Sequence, residues 1–450
     1  MSPEEMQDRF LSDRAKTLLH HPQGMGNYFT FKAGVKILGL DIEDVAPDGV
    51  YNAIGEGYYD MGYMANHIGP PEKAIQVLKD ASNKTNVATY PPDCTKEMKA
   101  YVAEHKFHRE LGPDFEVMGV EGAQGGIGYV YLTFLNPGDE IIVTNPGYFH
   151  FVPAAESSGA KVVRIPLTAE NDYRLKPAEV EAAITDKTKL IVVCDPVNPF
   201  GTVQTKEELL AIADIARRNG VMVFNNITHN THHTDKSVQQ IPMASLHSDE
   251  TPMDHVVSTS GTSKGFGMPG LRVGFLAGHP ALLRGAFLTK MEITKIHINY
   301  PGQFAALAAM KDHDYVDESV AIIQRNLAHI EETVAQTDGV TIPVRPSYGF
   351  CMMIDVGGTG VTAQEITVGL IKHKIAVTPG DGLGDLGATE YIRLNYSHPD
   401  IKCFETFRDA LPKAIEEAKS GMYKQGVISF YEGIGSTRGA EIIEIIKARG

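Results

Sequence analysis

The sequence predicts an α/β protein: a mainly parallel, doubly wound sheet with helices on both faces, followed by a smaller α+β domain. Three observations carry this. Short apolar runs rich in β-branched residues recur at 140–144, 161–165, 190–194 and 221–224, each followed by Gly, Pro or Asn. Between the last two, residues 206–219 set Leu209, Leu210, Ile212, Ala213 and Ala216 at helical spacing, and Gly220 is a C-terminal stop. The length of 450 residues exceeds one small domain and suits two.

The elements follow in order. Residues 1–16 mix Glu, Asp and Arg with apolar residues and lack the continuous apolar core of a signal peptide. No run approaches the roughly 20 apolar residues that span a membrane, so a cytoplasmic protein is expected. The alternating strands and helices occupy about 115–275, inside a large domain at 81–335. A helical stretch near 280–337 leads into a small domain at 336–450, with 392–396 as one of its strands. Residues 441–448 form an amphipathic pattern that predicts an extra packed helix. Hydrophobic residues at 43% and charged residues at 22% describe an ordinary globular chain. A net charge of −15 without a basic run argues against a nucleic-acid partner. Cys94, Cys194, Cys351 and Cys403 form no CxxC pair and read as buried or incidental thiols, with no structural metal.

Five motifs lie just after these strands or at a helix start, where ligands collect in such sheets. Thr262-Ser263-Lys264-Gly265 with Met268-Pro269-Gly270-Leu271-Arg272 combines an amine, hydroxyls and a guanidinium that can grip a phosphate dianion. Asp195-Pro196-Val197-Asn198-Pro199-Phe200-Gly201 follows an apolar strand. Gly122-Ala123-Gln124-Gly125-Gly126 opens a helix, whose N–H groups can hold phosphate. Asn145-Pro146-Gly147-Tyr148 supplies an aromatic face. Tyr391-Ile392-Arg393-Leu394-Asn395-Tyr396 supplies a planar fork suited to a carboxylate.

Taken in order, these runs resemble the class I/II aminotransferases, pyridoxal-phosphate (PLP) enzymes of fold type I related to aspartate aminotransferase. The resemblance spans about Gly55 to Tyr396 and implies PLP as cofactor, with Lys264 as the Schiff-base lysine. It implies Ala123, Gln124, Ser263 and Arg272 at the phosphate, Tyr148 stacked on the ring, and Asn198 at the ring oxygen and the substrate carboxylate. Arg393 is matched to the carboxylate clamp, and Gly55, in Ile54-Gly55-Glu56, to a glycine beside it. Tyr90 is matched to a tyrosine lent to a neighbour's phosphate, which implies a homodimer with residues 1–80 serving the small domain and the interface. The substrate implied is an α-amino acid held as an external aldimine.

The sequence departs from the family at the ring nitrogen. Counting without a gap from Asn198 leads to Asn226-Ile227-Thr228-His229 where relatives carry Asp-x-x-Tyr. Asn226 then replaces the carboxylate that keeps the pyridine protonated, and His229 replaces the tyrosine as ring-oxygen partner or proton shuttle. A shift of one would substitute Asn225, which is equally uncharged. Asn226 can donate to an unprotonated nitrogen or accept from a protonated one; the expectation is a mostly neutral ring and a weaker electron sink. That raises non-transaminating chemistry beside transamination: elimination or substitution at Cβ or Cγ, carbon–carbon bond formation, or decarboxylation, with sulfonium amino acids among the substrates. His229, His232 and His233 have a spacing metal ligands can adopt, but a cofactor pocket and a polar loop account for them better. Gly261 stands where many relatives have a phosphate-binding Ser. A PLP-binding DNA regulator is disfavoured, because no basic helix pair precedes the Gly55 match.

Overall fold

The computed structural model describes residues 1–24, 27–47, 55 and 57–449. Its strands are β1 (Tyr59–Asp60), β2 (Glu116–Glu121), β3 (Glu140–Asn145), β4 (Lys161–Pro166), β5 (Thr188–Cys194), β6 (Met222–Asn226), β7 (Val256–Gly261), β8 (Val273–Gly278), β9 (Cys351–Asp355), β10 (Ile375–Ala376), β11 (Thr378–Pro379) and β12 (Tyr391–Asn395). Strands β2 to β8 form one sheet in the order β2-β8-β7-β6-β5-β3-β4, and within it β8 runs against both its neighbours while the other pairs are parallel. The doubly wound, mainly parallel sheet expected from the sequence is present.

Period-two alternation puts successive side chains on opposite faces. Ile142, Ile191, Val193 and Val223 pack against Leu209 and Ile212 of the helix Lys206–Arg218. Ile141, Val143, Leu190, Val192 and Phe224 pack on the other face against Ile127 and Val130 of the helix Gly122–Phe134. The four apolar runs are β3 to β6, with ends moved by one or two residues. Strand β7 escapes a hydrophobicity reading because it carries Ser258, Thr259 and Ser260. These are buried all the same, and the Thr259 hydroxyl donates to the Phe275 carbonyl of β8 at 3.0 Å.

The stretch near 280–337 is three helices rather than one: Pro280–Thr294, Tyr300–Met310 and His313–Ala335. Asn299 accepts from the Gly302 N–H, and Pro301 follows it at the helix start, so a new helix begins there. The last of the three enters a second core through Ile323, Leu327, Ile330 and Val334. That core also gathers Phe29, Met61 and Met64, the antiparallel sheet β11-β12-β9, and the helices Ala363–Lys372 and Lys402–Lys419.

The C-terminal residues form the helices Lys424–Ile434 and Thr437–Ala448, and Ile442, Ile443 and Ile446 of the second are buried. They clasp the turn after β11. Asp381 accepts from the Tyr431 hydroxyl at 2.7 Å and from the Phe29 N–H at 2.8 Å, while Arg438 donates to the Asp381 carbonyl and pairs with Asp385. Burial raises the Asp381 carboxyl to about 6. All four cysteines are free and buried. Among the described residues no helix is long and apolar enough to cross a membrane.

Candidate active site

One edge of the large sheet collects the chemistry. Ala123 and Gln124 follow β2, Tyr148 follows β3, Asn198 follows β5, Asn226 ends β6 with His229 just beyond, Ser263 and Lys264 follow β7, and Arg272 precedes the reversed β8. All of them line one cavity of about 340 Å³, within the roughly 300–1,000 Å³ range of small-ligand sites. A second cavity of about 230 Å³ shares Tyr148, Asn198 and Lys264 with the first and is also lined by Arg393.

Lys264 lies in the four-residue helix Thr262–Gly265, its Nζ against the Met64 carbonyl. Burial, and after it the positive charges of Arg393 and Arg272, push its ammonium down to about 8. Asn66 fixes the local backbone by donating to the Lys264 carbonyl at 3.0 Å.

At one end of the cavity, the helix Gly122–Phe134 begins without a side-chain cap; the Gly122 N–H donates to the Arg272 carbonyl at 3.1 Å, and the N–H groups of the first turn after it are the ones that can meet an anion. The Glu121 carboxylate, which would oppose one, is turned away onto Tyr129 at 2.7 Å and Lys290 at 3.2 Å. Arg272, in a left-handed conformation (φ 54°), donates to the Glu121 carbonyl at 2.8 Å. Its guanidinium covers Gly122 (φ +67°), where a Cβ would meet Nη2 at 2.7 Å; a Cβ on Gly274 would meet the Gly122 carbonyl carbon at 2.5 Å. Gly274→Ala is therefore expected to cost about 1–3 kcal/mol by overpacking and to speed cofactor loss. A thermal melt and cofactor retention on dialysis check this. Of the hydroxyls in this run, Ser263 lines the cavity, whereas Thr262 is turned to the Val273 carbonyl at 3.3 Å. Gly261 has no room for the family's usual serine without adjustment, because a Cβ there would lie 3.2 Å from the Val273 oxygen.

Across the cavity, Tyr148 donates its hydroxyl to Gln124 Oε1 at 3.1 Å. Asn226 Oδ1 accepts from the Thr228 N–H at 3.0 Å and the Thr228 hydroxyl at 2.5 Å. Asn225 is fully engaged elsewhere: its amide donates to the Val193 carbonyl at 3.2 Å and accepts from the Met243 N–H at 3.2 Å. Asn226 is thus the asparagine at the cavity. Among the described residues lining this cavity there is no Asp or Glu. Asp195, next to β6 in the sheet, spends its carboxylate on the Gln204 N–H at 2.9 Å and the Gln240 amide at 3.0 Å. His229 is 9% exposed, its Nδ1 buried without a partner. Burial first, then Lys264, Arg393 and His232, push it down to about 3, so the ring is neutral. No three metal-ligating side chains converge among the described residues.

Arg393, from β12, is 4% exposed. It donates to the Gly62 carbonyl at 3.1 Å and to Asn198 Oδ1 at 3.4 Å, while Nε has no partner. No carboxylate among the described residues lies within ion-pair distance of it, although it is a buried cation. Such a charge calls for an anion.

Two expected site residues are not brought here. Gly55 packs on the backbone of Asp44, where a Cβ would lie 2.0 Å from the carbonyl oxygen, and it lines neither cavity; Ile54 and Glu56 lie outside the described residues. The glycine at the arginine is Gly62, which a Cβ would drive into the Val377 backbone at 2.7 Å. Tyr90 is 84% exposed and lines neither cavity of its own chain. The motif reading missed Tyr63, Met64, His150 and Thr228. For Thr228 a signal existed: Asn followed two residues later by a hydroxyl residue often closes a side-chain-to-backbone turn.

The residues fit PLP. The cradle at Gly122, the orphaned nitrogens of His229 and Arg393, and a lysine with a lowered pKa are the donor set an anionic heterocyclic aldehyde requires. Comparisons with known proteins agree. The family Aminotransferase class I and II matches residues 54–411. The aspartate aminotransferase of Musicola paradisiaca is 26% identical over 408 residues, covering 87% of this chain and 98% of the relative. Aromatic-amino-acid aminotransferase 2 of Thermococcus litoralis is 28% identical, covering 81% and 93%. The fold is shared with the solved aspartate aminotransferase of Thermus thermophilus at a TM-score of 0.73 and 21% identity, over 89% of this chain and 99% of that one. With a buried lysine, an uncapped helix start and a buried guanidinium lining two cavities that share Lys264, and with a family match over most of its length, this chain belongs to the class I and II aminotransferases and is a PLP-dependent transferase.

Proposed function

We propose that the chain acts on an α-amino acid by aminotransferase chemistry, with the substrate's carboxylate on Arg393 and its amine at the cofactor. The observation that carries this is the buried Arg393 beside Asn198, which has no carboxylate within ion-pair distance among the described residues although Asp60 lines the same cavity, and that cavity shares Lys264 with the cofactor site. When bound, PLP supplies an electron sink for the bond broken at the substrate's Cα. Arg393 and Asn198 hold the carboxylate and so fix which Cα bond is aligned. Tyr148 would supply an aromatic face to the cofactor's ring. Lys264 Nζ, poised near neutrality, would take and return the Cα proton. His229, neutral, would offer the cofactor a hydrogen bond rather than a charge.

A second reading, non-transaminating chemistry such as elimination, substitution or decarboxylation, is favoured by one observation: Asn226 rather than a carboxylate faces the cavity. One assay separates them. Candidate amino acids are added to the loaded protein and the absorbance is followed. Transamination is expected to convert the cofactor to its pyridoxamine form within a turnover; persistent absence of that form with every amino acid that is consumed would rule it out. We also infer a homodimer with Tyr90 reaching the neighbour's phosphate site, supported by its exposure. Light scattering and a slower loss of cofactor from wild type than from Tyr90→Phe are the expected results.

A further inference from the structure

We infer that Thr228 is a positioning residue that commits Asn226 to donating a hydrogen bond, so that this chain holds the pyridine nitrogen of its cofactor unprotonated. The inference rests on the PLP reading and goes beyond it.

One donor beside Asn226 cannot be reversed. The Thr228 backbone N–H points at the Asn226 side chain at 3.0 Å, and a backbone N–H can only donate. The atom facing it must be the amide oxygen; the opposite flip would set NH₂ against N–H. The orientation of Asn226, usually a matter of choice for an asparagine, is fixed here. The Thr228 hydroxyl then approaches the same oxygen at 2.5 Å, so both lone pairs are used. What remains is Nδ2, which has no partner among the described residues and is not sealed from the cavity that Asn226 lines. Asn226 can offer that cavity only N–H.

A protonated pyridine nitrogen is also a donor. Two donors facing each other leave both unsatisfied in a buried place, whereas an unprotonated nitrogen accepts from Nδ2. The surroundings agree from every side. On β5, Cys194 is a neutral thiol, and the Asp195 carboxylate is bound by Gln204 and Gln240. Beyond β6, His229 is uncharged. From the segments after β7 and before β8 come Lys264 and Arg272, both bases, and after β3 comes His150. No group there favours a positive ring. The motif Asn226-Ile227-Thr228 is therefore a device that reverses the usual charge at this position rather than a decayed carboxylate site. Its consequence is a weaker electron sink, which favours reactions needing less charge delocalised into the ring.

The test reads the ring nitrogen itself. Holoprotein is prepared with PLP carrying ¹⁵N in the pyridine, and the nitrogen's chemical shift is followed by NMR through the neutral pH range. The expected wild-type signal is that of an unprotonated pyridine. Asn226→Asp is expected to move the protonation equilibrium by about ten- to a thousandfold toward the protonated form. Thr228→Val keeps the backbone N–H that fixes Asn226, so its ring nitrogen should stay unprotonated, whereas Thr228→Pro, which removes that N–H together with the hydroxyl, should raise the pH at which the nitrogen titrates. A protonated shift in wild-type protein at neutral pH overturns the inference without any variant. A Thr228→Pro holoprotein whose nitrogen titrates as in wild type overturns the positioning role. A wild-type chain that takes up no labelled cofactor removes the PLP reading itself, a different failure that is seen before any shift is measured.

Discussion

Lys264→Ala is expected to eliminate the yellow chromophore of the loaded protein and to lower kcat by at least roughly 10⁴-fold, the scale on which loss of a covalent catalyst acts. With its ammonium pushed down to about 8, roughly a tenth of the amine is neutral at pH 7, against less than about one in a thousand for a free lysine. Borohydride should trap the cofactor on the peptide carrying Lys264 in wild type and nowhere in the variant. The same shift predicts the stability of the cofactor-free protein. Between pH 8 and the ordinary value of 10.5, the unfolded chain keeps a proton that the folded chain releases. Wild-type stability therefore rises with pH across that window. The variant lacks this response, so its advantage over wild type is complete below pH 8 and fades by pH 10.5. Parallel melts along that series check it, and a variant that melts with the wild-type pH profile would contradict the assignment of the shift to this amine.

Arg393→Ala should raise KM for the amino acid by about 10- to 150-fold, the loss of a charge-assisted hydrogen-bonded partner worth roughly 1.5–3 kcal/mol. Arg393→Lys should recover part of it, because an ammonium restores the charge but not the planar fork. The buried guanidinium makes a second, opposite prediction. Since it meets the Gly62 carbonyl and Asn198 but no carboxylate among the described residues, it is held at a cost to folding. Arg393→Leu should thus melt no lower than wild type in the absence of substrate, while failing to bind it. Titration of cofactor absorbance with substrate, beside a thermal melt, separates the two effects. A variant that both unfolds and keeps its KM would reverse the picture.

The large sheet was legible because its strands β3, β5 and β6 bury both faces, and burial on both faces demands the continuous apolar runs that a sequence displays; β4, at the sheet's edge, is half-buried but keeps a β-branched run. The lysine, the phosphate cradle and the carboxylate fork were legible because each is a local run whose backbone shape and chemistry travel together. What was hidden depends on long-range packing. Gly62, whose carbonyl accepts from Arg393, has no room for a side chain because of the Val377 backbone, more than three hundred residues away in the chain. His150 follows Tyr148 by two residues, yet its position in both cavities is set by the turn. Thr228 shows its importance only once Asn226 is known to face the cavity. Strand β7 was hidden because its buried residues are hydroxyl-bearing, and the partner of Thr259 lies on β8, which no local pattern announces.

The clasp on the turn after β11 has a consequence for how such a protein can change. Thr378, Gly382 and Leu383 of that turn face the same space as Tyr28 and Arg393, yet the groups that hold it, Tyr431 and Arg438, lie past residue 411, where the family match ends. One wall of the second cavity is thereby braced by helices outside the span the family model matches. A substitution at Tyr431 or Arg438 reaches that wall through Asp381 without touching Lys264, Asn198 or Arg393.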